Sequence, residues 1–222
     1  MSKHLQRDID LLKQKLMAMC NLVEKMLNKA VNSILESDEA LAQEVIGQDS
    51  EVDAIEVDIE EECLKILALY QPVAIDLRFI IAAMKITSDL ERVGDLTVNI
   101  AERAVFMISQ KTASFPFDFH EMAQRVESML DRSLEALVNL NVPLAYRVRS
   151  EDDIVDAMNR EIYSKVKDEV QNNPETINYL LHALSIGRHL ERVADHATNI
   201  AEDVIYLVDA RIVRHQPEVF EE

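Results

Sequence analysis

The chain has 222 residues, 23 Lys plus Arg against 41 Asp plus Glu, and a formal net charge of −18. A surface this negative repels phosphate backbones and disfavours nucleic-acid binding, and 48% apolar residues supply the buried area that a disordered chain lacks. Only 3 glycines are present, too few for the turns of an ordinary all-β protein, so the composition points to an acidic helical protein.

The elements follow in chain order. In the first segment Leu5, Ile9, Leu12, Leu16, Met19, Val23, Met26, Ala30 and Ile34 recur at three- and four-residue steps, which predicts a helix near 3–36. Ser37-Asp38-Glu39 reads as a stop followed by a new N-cap. A second helix is expected near 38–69, with Gly47 as a point of kinking or interruption. The prolines at 72, 116, 143, 174 and 217 act as punctuation, because proline is expelled from helix interiors. They delimit further helices near 73–110, 117–141, 144–171 and 174–214. Helices this long with short connections suit an antiparallel bundle. The N-terminal stretch lacks the continuous apolar region of a signal peptide, and no apolar run is long enough to span a bilayer. Cys20 and Cys63 sit inside helical patterns without metal spacing and read as buried small hydrophobes in a cytoplasmic protein.

The most informative feature is an internal repeat. A shift of 100 residues lays Leu90-Glu91-Arg92-Val93 on Leu190-Glu191-Arg192-Val193, Asp95 on Asp195, and Asn99-Ile100-Ala101-Glu102 on Asn199-Ile200-Ala201-Glu202. A shift of 103 aligns the preceding helices, with Met26-Leu27 on Met129-Leu130 and Val52-Asp53-Ala54 on Val155-Asp156-Ala157. The expected fold is all-α, made of two tandem three-helix bundles over residues 1–112 and 113–222, joined near 110–117.

Glu91, Asp95, Asn99 and Glu102 fall within an arc of about 80° at 100° per residue, on one narrow face of the third predicted helix. Glu191, Asp195, Asn199 and Glu202 repeat the arrangement on the sixth. Carboxylates four residues apart repel each other, and a divalent cation would relieve the repulsion. Oxygen donors favour hard ions. Ligands from a second helix are also needed, and the candidates are Asp53 and Asp58 with their counterparts Asp156 and Glu161. The plainer alternative is a solvated face on which Arg92 and Arg192 pair with Asp95 and Asp195. His182, His189 and His196 are spaced by seven, off this stripe, and read as exposed or inter-subunit residues. No Glu-x-x-His di-iron motif, glycine-rich phosphate loop or nucleophile with its base is present, so no catalytic or organic-cofactor residues are assigned.

The segments LERVGDLTVNIAE (90–102) and LERVADHATNIAE (190–202), QPVAIDLRFIIAAMKITSDLERVGD (71–95), the length and the two three-helix repeats together resemble the phosphate-uptake regulator (PhoU) family. The resemblance implies a cytoplasmic, homodimeric regulator of phosphate transport and phosphate-starvation signalling. It would act as a non-enzymatic, negative adaptor between the phosphate-specific ABC transporter, through its ATPase, and a sensor histidine kinase. Membrane association would come only through these partners, and no nucleic acid is involved. The resemblance also implies metal (Fe, Mn, Mg or Zn) at the E-x-x-x-D motifs, Glu91 with Asp95 and Glu191 with Asp195. Ala194 stands where the family often has Gly before the second Asp. The alternative reading is a carboxylate-metal helical enzyme, a phosphohydrolase or redox protein, built on the same duplicated stripe.

Overall fold

The structure, a computed structural model, describes residues 3–110 and 118–214. Eight α-helices and one short 3-10 helix make up the described residues, and no strand is among them. They are α1 (Lys3–Leu35), α2 (Glu39–Gly47), α3 (Asp49–Tyr70), α4 (Ala74–Ser109), α5 (His120–Asn139), α6 (Val142–Arg149), α7 (Asp152–Asn172), the 3-10 turn Pro174–Thr176 and α8 (Ile177–Asp209). The expected join of the halves falls largely on 111–117, outside the described residues.

The periodicity named the buried face of α1 correctly. Leu12, Met19, Val23, Met26 and Ala30 are all fully buried, and Ile34 is half-buried. Asp38 caps α2: its Oδ1 accepts from the backbone N–H of Ala40 at 2.9 Å and of Leu41 at 3.2 Å. Asp38→Ala is expected to cost about 1 kcal/mol and to lower the thermal midpoint by about 2–4 °C, read by a circular-dichroism melt.

Both middle helices are broken. The second predicted helix divides at Gln48 into α2 and α3, as Gly47 suggested, and the fifth divides at Ser150–Glu151 into α6 and α7. The two breaks are themselves repeat partners (47 + 103 = 150). Ser150 caps α6, its hydroxyl donating to the Arg147 carbonyl oxygen at 2.8 Å, but a single serine is a far weaker break signal than Gly47, so the second break was not read from the sequence. The Arg132 guanidinium of α5 grips both carboxylate oxygens of Glu151 and holds this junction. That bond also holds the Glu151 carboxyl below its ordinary range. Pro143 lies inside the first turn of α6, where its missing N–H is no loss, so that helix starts at Val142 and not after the proline. α8 ends earlier than expected, with Ala210 in the left-handed region (φ 57°).

α1, α2–α3 and α4 form one three-helix unit, and α5, α6–α7 and α8 form the other. The long helices α4 and α8 run antiparallel and make the most extensive helix pair in the molecule. Phe106 near the end of α4 stacks on His182 near the start of α8, with ring centroids 3.7 Å apart, while Lys85 near the start of α4 reaches Asp203 near the end of α8 at 3.2 Å. Ile86, Leu90 and Ile100 are fully buried, as are Ile186, Leu190 and Ile200, and the two halves share a single continuous core. Each such side chain contributes about 1.5–3 kcal/mol of burial. Cys20 and Cys63 are free and buried, and burial pushes both thiols up to about 12. None of the described helices is long and apolar enough to cross a membrane.

Candidate functional site

The helix breaks set up the site. Because α3 begins anew at Asp49 and α7 at Asp152, each opens with an acid in its first turn, where the positive helix end favours it. α3 then lies along α4, and α7 along α8. Close approach in the first pair falls at Gly94: a Cβ there would meet Val52 Cγ1 at 3.2 Å. Val52 stands beside Asp53 on α3, and Gly94 stands beside Asp95 on α4. Two facing helices thus bring their acids to one seam.

The acids at this seam feel one another. The Asp49 carboxyl is raised above its ordinary value by partial burial first, then by the charges of Asp53, Asp95 and Glu102. Glu56 is raised by burial and then by Glu91, Glu60 and Asp53. Glu91 is raised by burial and by Asp95, with Arg92 acting the other way. Arg92 lies 3.4 Å from Asp95 and 3.5 Å from Glu91, the pairing that the solvated-face alternative expects.

The second seam is deeper. Asp152 is pushed up to about 6, first by burial and then by the charges of Asp195 and Asp156. The Thr198 hydroxyl, donating to Asp152 Oδ1 at 3.4 Å, opposes the rise. Burial is the leading cause for Glu191 and Asp195 as well, followed by Asp156 for the former and Glu191 for the latter.

Of the residues marked by sequence, Asp53, Glu91 and Asp95 therefore gather at one seam, and Asp156, Glu191 and Asp195 at the other. Glu102 is exposed, 3.4 Å from Arg103, and still within range of the Asp49 charge. Its counterpart Glu202 turns away: it is buried between Arg149 at 3.2 Å and Arg214 at 3.6 Å. Asn99 donates to its own helix, to the Asp95 carbonyl oxygen at 2.7 Å. Asn199 instead donates across to Asp89 Oδ1 on α4 at 3.2 Å. Asp58 pairs with Lys15 of α1 at 2.8 Å, and Glu161 with Lys165 at 2.7 Å, so both are occupied elsewhere.

Asp49, Glu56 and Asp152 were missed by the sequence reading. The repeat held the signal for two of them, since 49 + 103 = 152. A helix drawn as continuous left them as ordinary surface acids. The three histidines are also relocated. They lie between α4 and α8, not on an exterior face: His182 stacks on Phe106, His189 is half-buried, and His196 Nδ1 meets Asp89 Oδ1 at 2.8 Å. The His189 imidazole is pushed down to about 4, by burial first and then by Arg103, Arg192 and Arg188.

The donors at both seams are hard oxygens, which suits a hard divalent cation in kind. As the side chains stand, no three Asp, Glu, His or Cys among the described residues converge closely enough to hold a metal ion. The arrangement gathers negative charge at partial cost, and that excess is its chemical property.

Comparison with known proteins agrees over nearly the whole length. The PhoU domain family model matches residues 16–104 and again 119–204. The chain is 35% identical over 215 residues to the phosphate-specific transport system accessory protein PhoU homolog of Pseudomonas aeruginosa, covering 96% of this chain and 89% of that one. It is 37% identical over 210 residues to the homolog of the same name from Aquifex aeolicus, covering 95% of each. The crystal structure of PhoU from Pseudomonas aeruginosa superposes with a TM-score of 0.89 at 35% identity, over 93% of this chain and 99% of that one. The phosphate transport system regulatory protein PhoU from Streptococcus pneumoniae superposes with a TM-score of 0.82 at 28% identity, over 94% and 99%. These relatives are named as accessory or regulatory proteins rather than enzymes. With both repeats matched by the family model and this degree of identity across nearly all of its length, the chain belongs to the PhoU family.

Proposed function

We propose that this chain is a cytoplasmic, homodimeric accessory protein of a phosphate-specific transport system. It acts as a non-catalytic negative regulator, docking between the transporter's ATPase and a sensor histidine kinase. The observation that carries this reading is the similarity, over about 95% of the chain, to proteins named for that system. The negative surface supports it, because complementary charge speeds encounter with a basic partner face.

In this reading each seam takes up hard divalent cations. Asp49, Asp53, Glu91 and Asp95 would serve the first, and Asp152, Asp156, Glu191 and Asp195 the second. A bound cation would supply charge neutralisation there. It would draw in carboxylates that now stand apart and fix α3 on α4 and α7 on α8. Magnesium, manganese, iron and zinc share this donor chemistry to different degrees.

The reading is tested by co-expressing the chain with a phosphate-transporter ATPase and, separately, with the sensor kinase, and then purifying by a tag on the partner. Retention of this chain that weakens as salt rises is expected. Loss of both partners already at low salt would overturn the adaptor role.

A further inference from the structure

Because α4 and α8 run in opposite directions, the shift of 100 residues that relates them exchanges the two ends of the seam between them. At the end where α4 starts, donors meet carboxylates. Lys85 reaches Asp203 at 3.2 Å, and Asp89 Oδ1 takes both His196 Nδ1 at 2.8 Å and the Asn199 amide at 3.2 Å. Under the shift, Ser185 stands for Lys85 and Arg103 for Asp203, while His189 stands for Asp89, Leu96 for His196 and Asn99 for Asn199. The other end of the seam therefore has donors and cations where the first end has its two acids.

The mismatch leaves hydrogen bonds unmade. His182 Nδ1 and His189 Nδ1 are both covered from water and have no hydrogen-bond partner. The Ser185 hydroxyl lies 3.1 Å from His189 Nε2, and by donating there it places the one proton of the neutral ring on Nδ1. That N–H has no acceptor, and a dry, unpaired donor costs more than an ordinary hydrogen bond gains.

Charge is unmatched as well. After burial, the groups that keep the His189 imidazole neutral are three guanidiniums, those of Arg103, Arg192 and Arg188. Arg103 acts on His182 too. Among the described residues Arg103 pairs with the exposed Glu102 at 3.4 Å, a surface contact of small worth. Arg188 and Arg192 are felt by Glu191 on the neighbouring face, and neither has a carboxylate within 4 Å among the described residues. Arg92, the counterpart of Arg192, does hold Asp95 at 3.4 Å. In a chain of net charge −18 this is a local concentration of the opposite sign.

At 100° per residue His182, Ser185, Arg188, His189 and Arg192 fall within an arc of about 120° on α8. Arg103 faces them from α4, one turn before the Phe106 ring that stacks on His182. A carboxylate, with two oxygens, satisfies part of this set. A tetrahedral oxyanion offers four oxygens and up to two negative charges, and guanidinium forks suit it. His182 is half-buried, and a turn about its χ2 presents Nδ1 outward without moving the ring off Phe106.

We propose that this end of the α4–α8 seam binds a phosphate-type oxyanion, held by Arg103, Ser185 and His189 and surrounded by His182, Arg188 and Arg192. Free phosphate and a phosphoryl group on a larger ligand share that chemistry. The site takes an anion where the acidic seams would take a cation, and it does not depend on the docking partners named above.

The test follows the imidazole resonances of the full chain by NMR, after a chelator has removed divalent cations so that phosphate cannot act through the acidic seams. Inorganic phosphate, O-phosphoserine and chloride are added in turn at constant ionic strength. Phosphate or O-phosphoserine should shift the His182 and His189 signals saturably, with a midpoint on the order of 1 mM or below. The tighter of the two identifies the source, and chloride should have no such effect. Arg103→Gln, at a part-exposed position, should raise the midpoint about tenfold, as expected for one lost charge-assisted contact. Arg7→Gln, at the opposite end of the molecule and fully in solvent reach, should leave it unchanged. Saturation should also raise the thermal midpoint of the unaltered chain, because the anion binds only the folded state. No saturable shift with either phosphate compound, an equal response to chloride, or the same midpoint in Arg103→Gln as in the unaltered chain would each overturn the proposal.

Discussion

Replacing Arg149 with methionine is expected to destabilise the protein by about 3 kcal/mol, the cost of leaving a buried charge without its main partner. The guanidinium is almost entirely covered. It donates to Glu202 Oε1 at 3.2 Å and to the Val213 carbonyl oxygen at 3.4 Å. Without it, buried Glu202 keeps only Arg214, at 3.6 Å, among the described residues, and the Val213 carbonyl after α8 loses its hydrogen bond from α6. A chain of this size should lose about 6–12 °C in thermal midpoint. Arg149→Met combined with Glu202→Leu should recover most of the loss, because an apolar pair of similar volume replaces the ion pair at little net cost. The first half supplies the control. Ile46 stands at the position equivalent to Arg149 (149 − 103 = 46), and Glu102 is exposed. Glu102→Gln should therefore change stability by less than about 0.5 kcal/mol. A double variant no more stable than Arg149→Met alone would show that the arginine matters through its other contacts.

The second large effect concerns Asp152 and is read as a function of pH. Its carboxyl titrates near 6 in the folded chain, against an ordinary value of 3.8. Between those values the folded state holds a proton that the unfolded state has released. Stability is therefore greatest below about pH 4 as far as this group is concerned, falls as pH rises through about 6, and stays lower above. Glu191 and Asp195 shift in the same direction and add to the trend. Discounted for the solvent that still reaches the group, the penalty at pH 7.5 is about 1–2 kcal/mol. Asp152→Asn should thus stabilise the protein by that amount at pH 7.5 and by almost nothing at pH 4, measured by urea unfolding across the range. Millimolar Mn²⁺ or Mg²⁺ should reverse the order at pH 7.5. The unaltered chain gains stability from a cation that binds only the folded state, while the variant gains much less. Equal responses in the two proteins, or none in either, would count against cation binding at this seam.

Much of this was legible in sequence, for reasons that differ from residue to residue. Apolar period three-to-four fixes which face of a long helix is buried, so the core positions of α1, α4 and α8 could be read directly. The stripe of Glu91 and Asp95 was legible because it recurs in a second copy. The break at Ser150 was not, because its partner in the repeat is a glycine and it is not, and the grip of Arg132 on Glu151 at the junction comes from another helix. Glu202 was misplaced for a related reason. A helical wheel gives direction but says nothing about a cation arriving from α6. The same limit applies to the histidines, whose partners Asp89 and Phe106 lie more than 70 residues away in the chain.

The antiparallel pairing of α4 with α8 has a consequence for how alike the two halves can be. If the units were separate identical subunits related by a two-fold axis, every cross-contact would occur twice. Here Asp89 meets His196 once, and the mirrored contact would set His189 against Leu96, the positions 100 residues away in each case. Lys85 with Asp203 likewise has Arg103 and Ser185 as its reflected pair. Joining the units in one polypeptide releases each from having to suit its own copy, and the two seams inherit different surroundings, one shallow and one deep. A tandem chain can thus graduate its two acidic sites, one yielding to protons or cations before the other, where a strict pair of twins would have to respond at a single threshold.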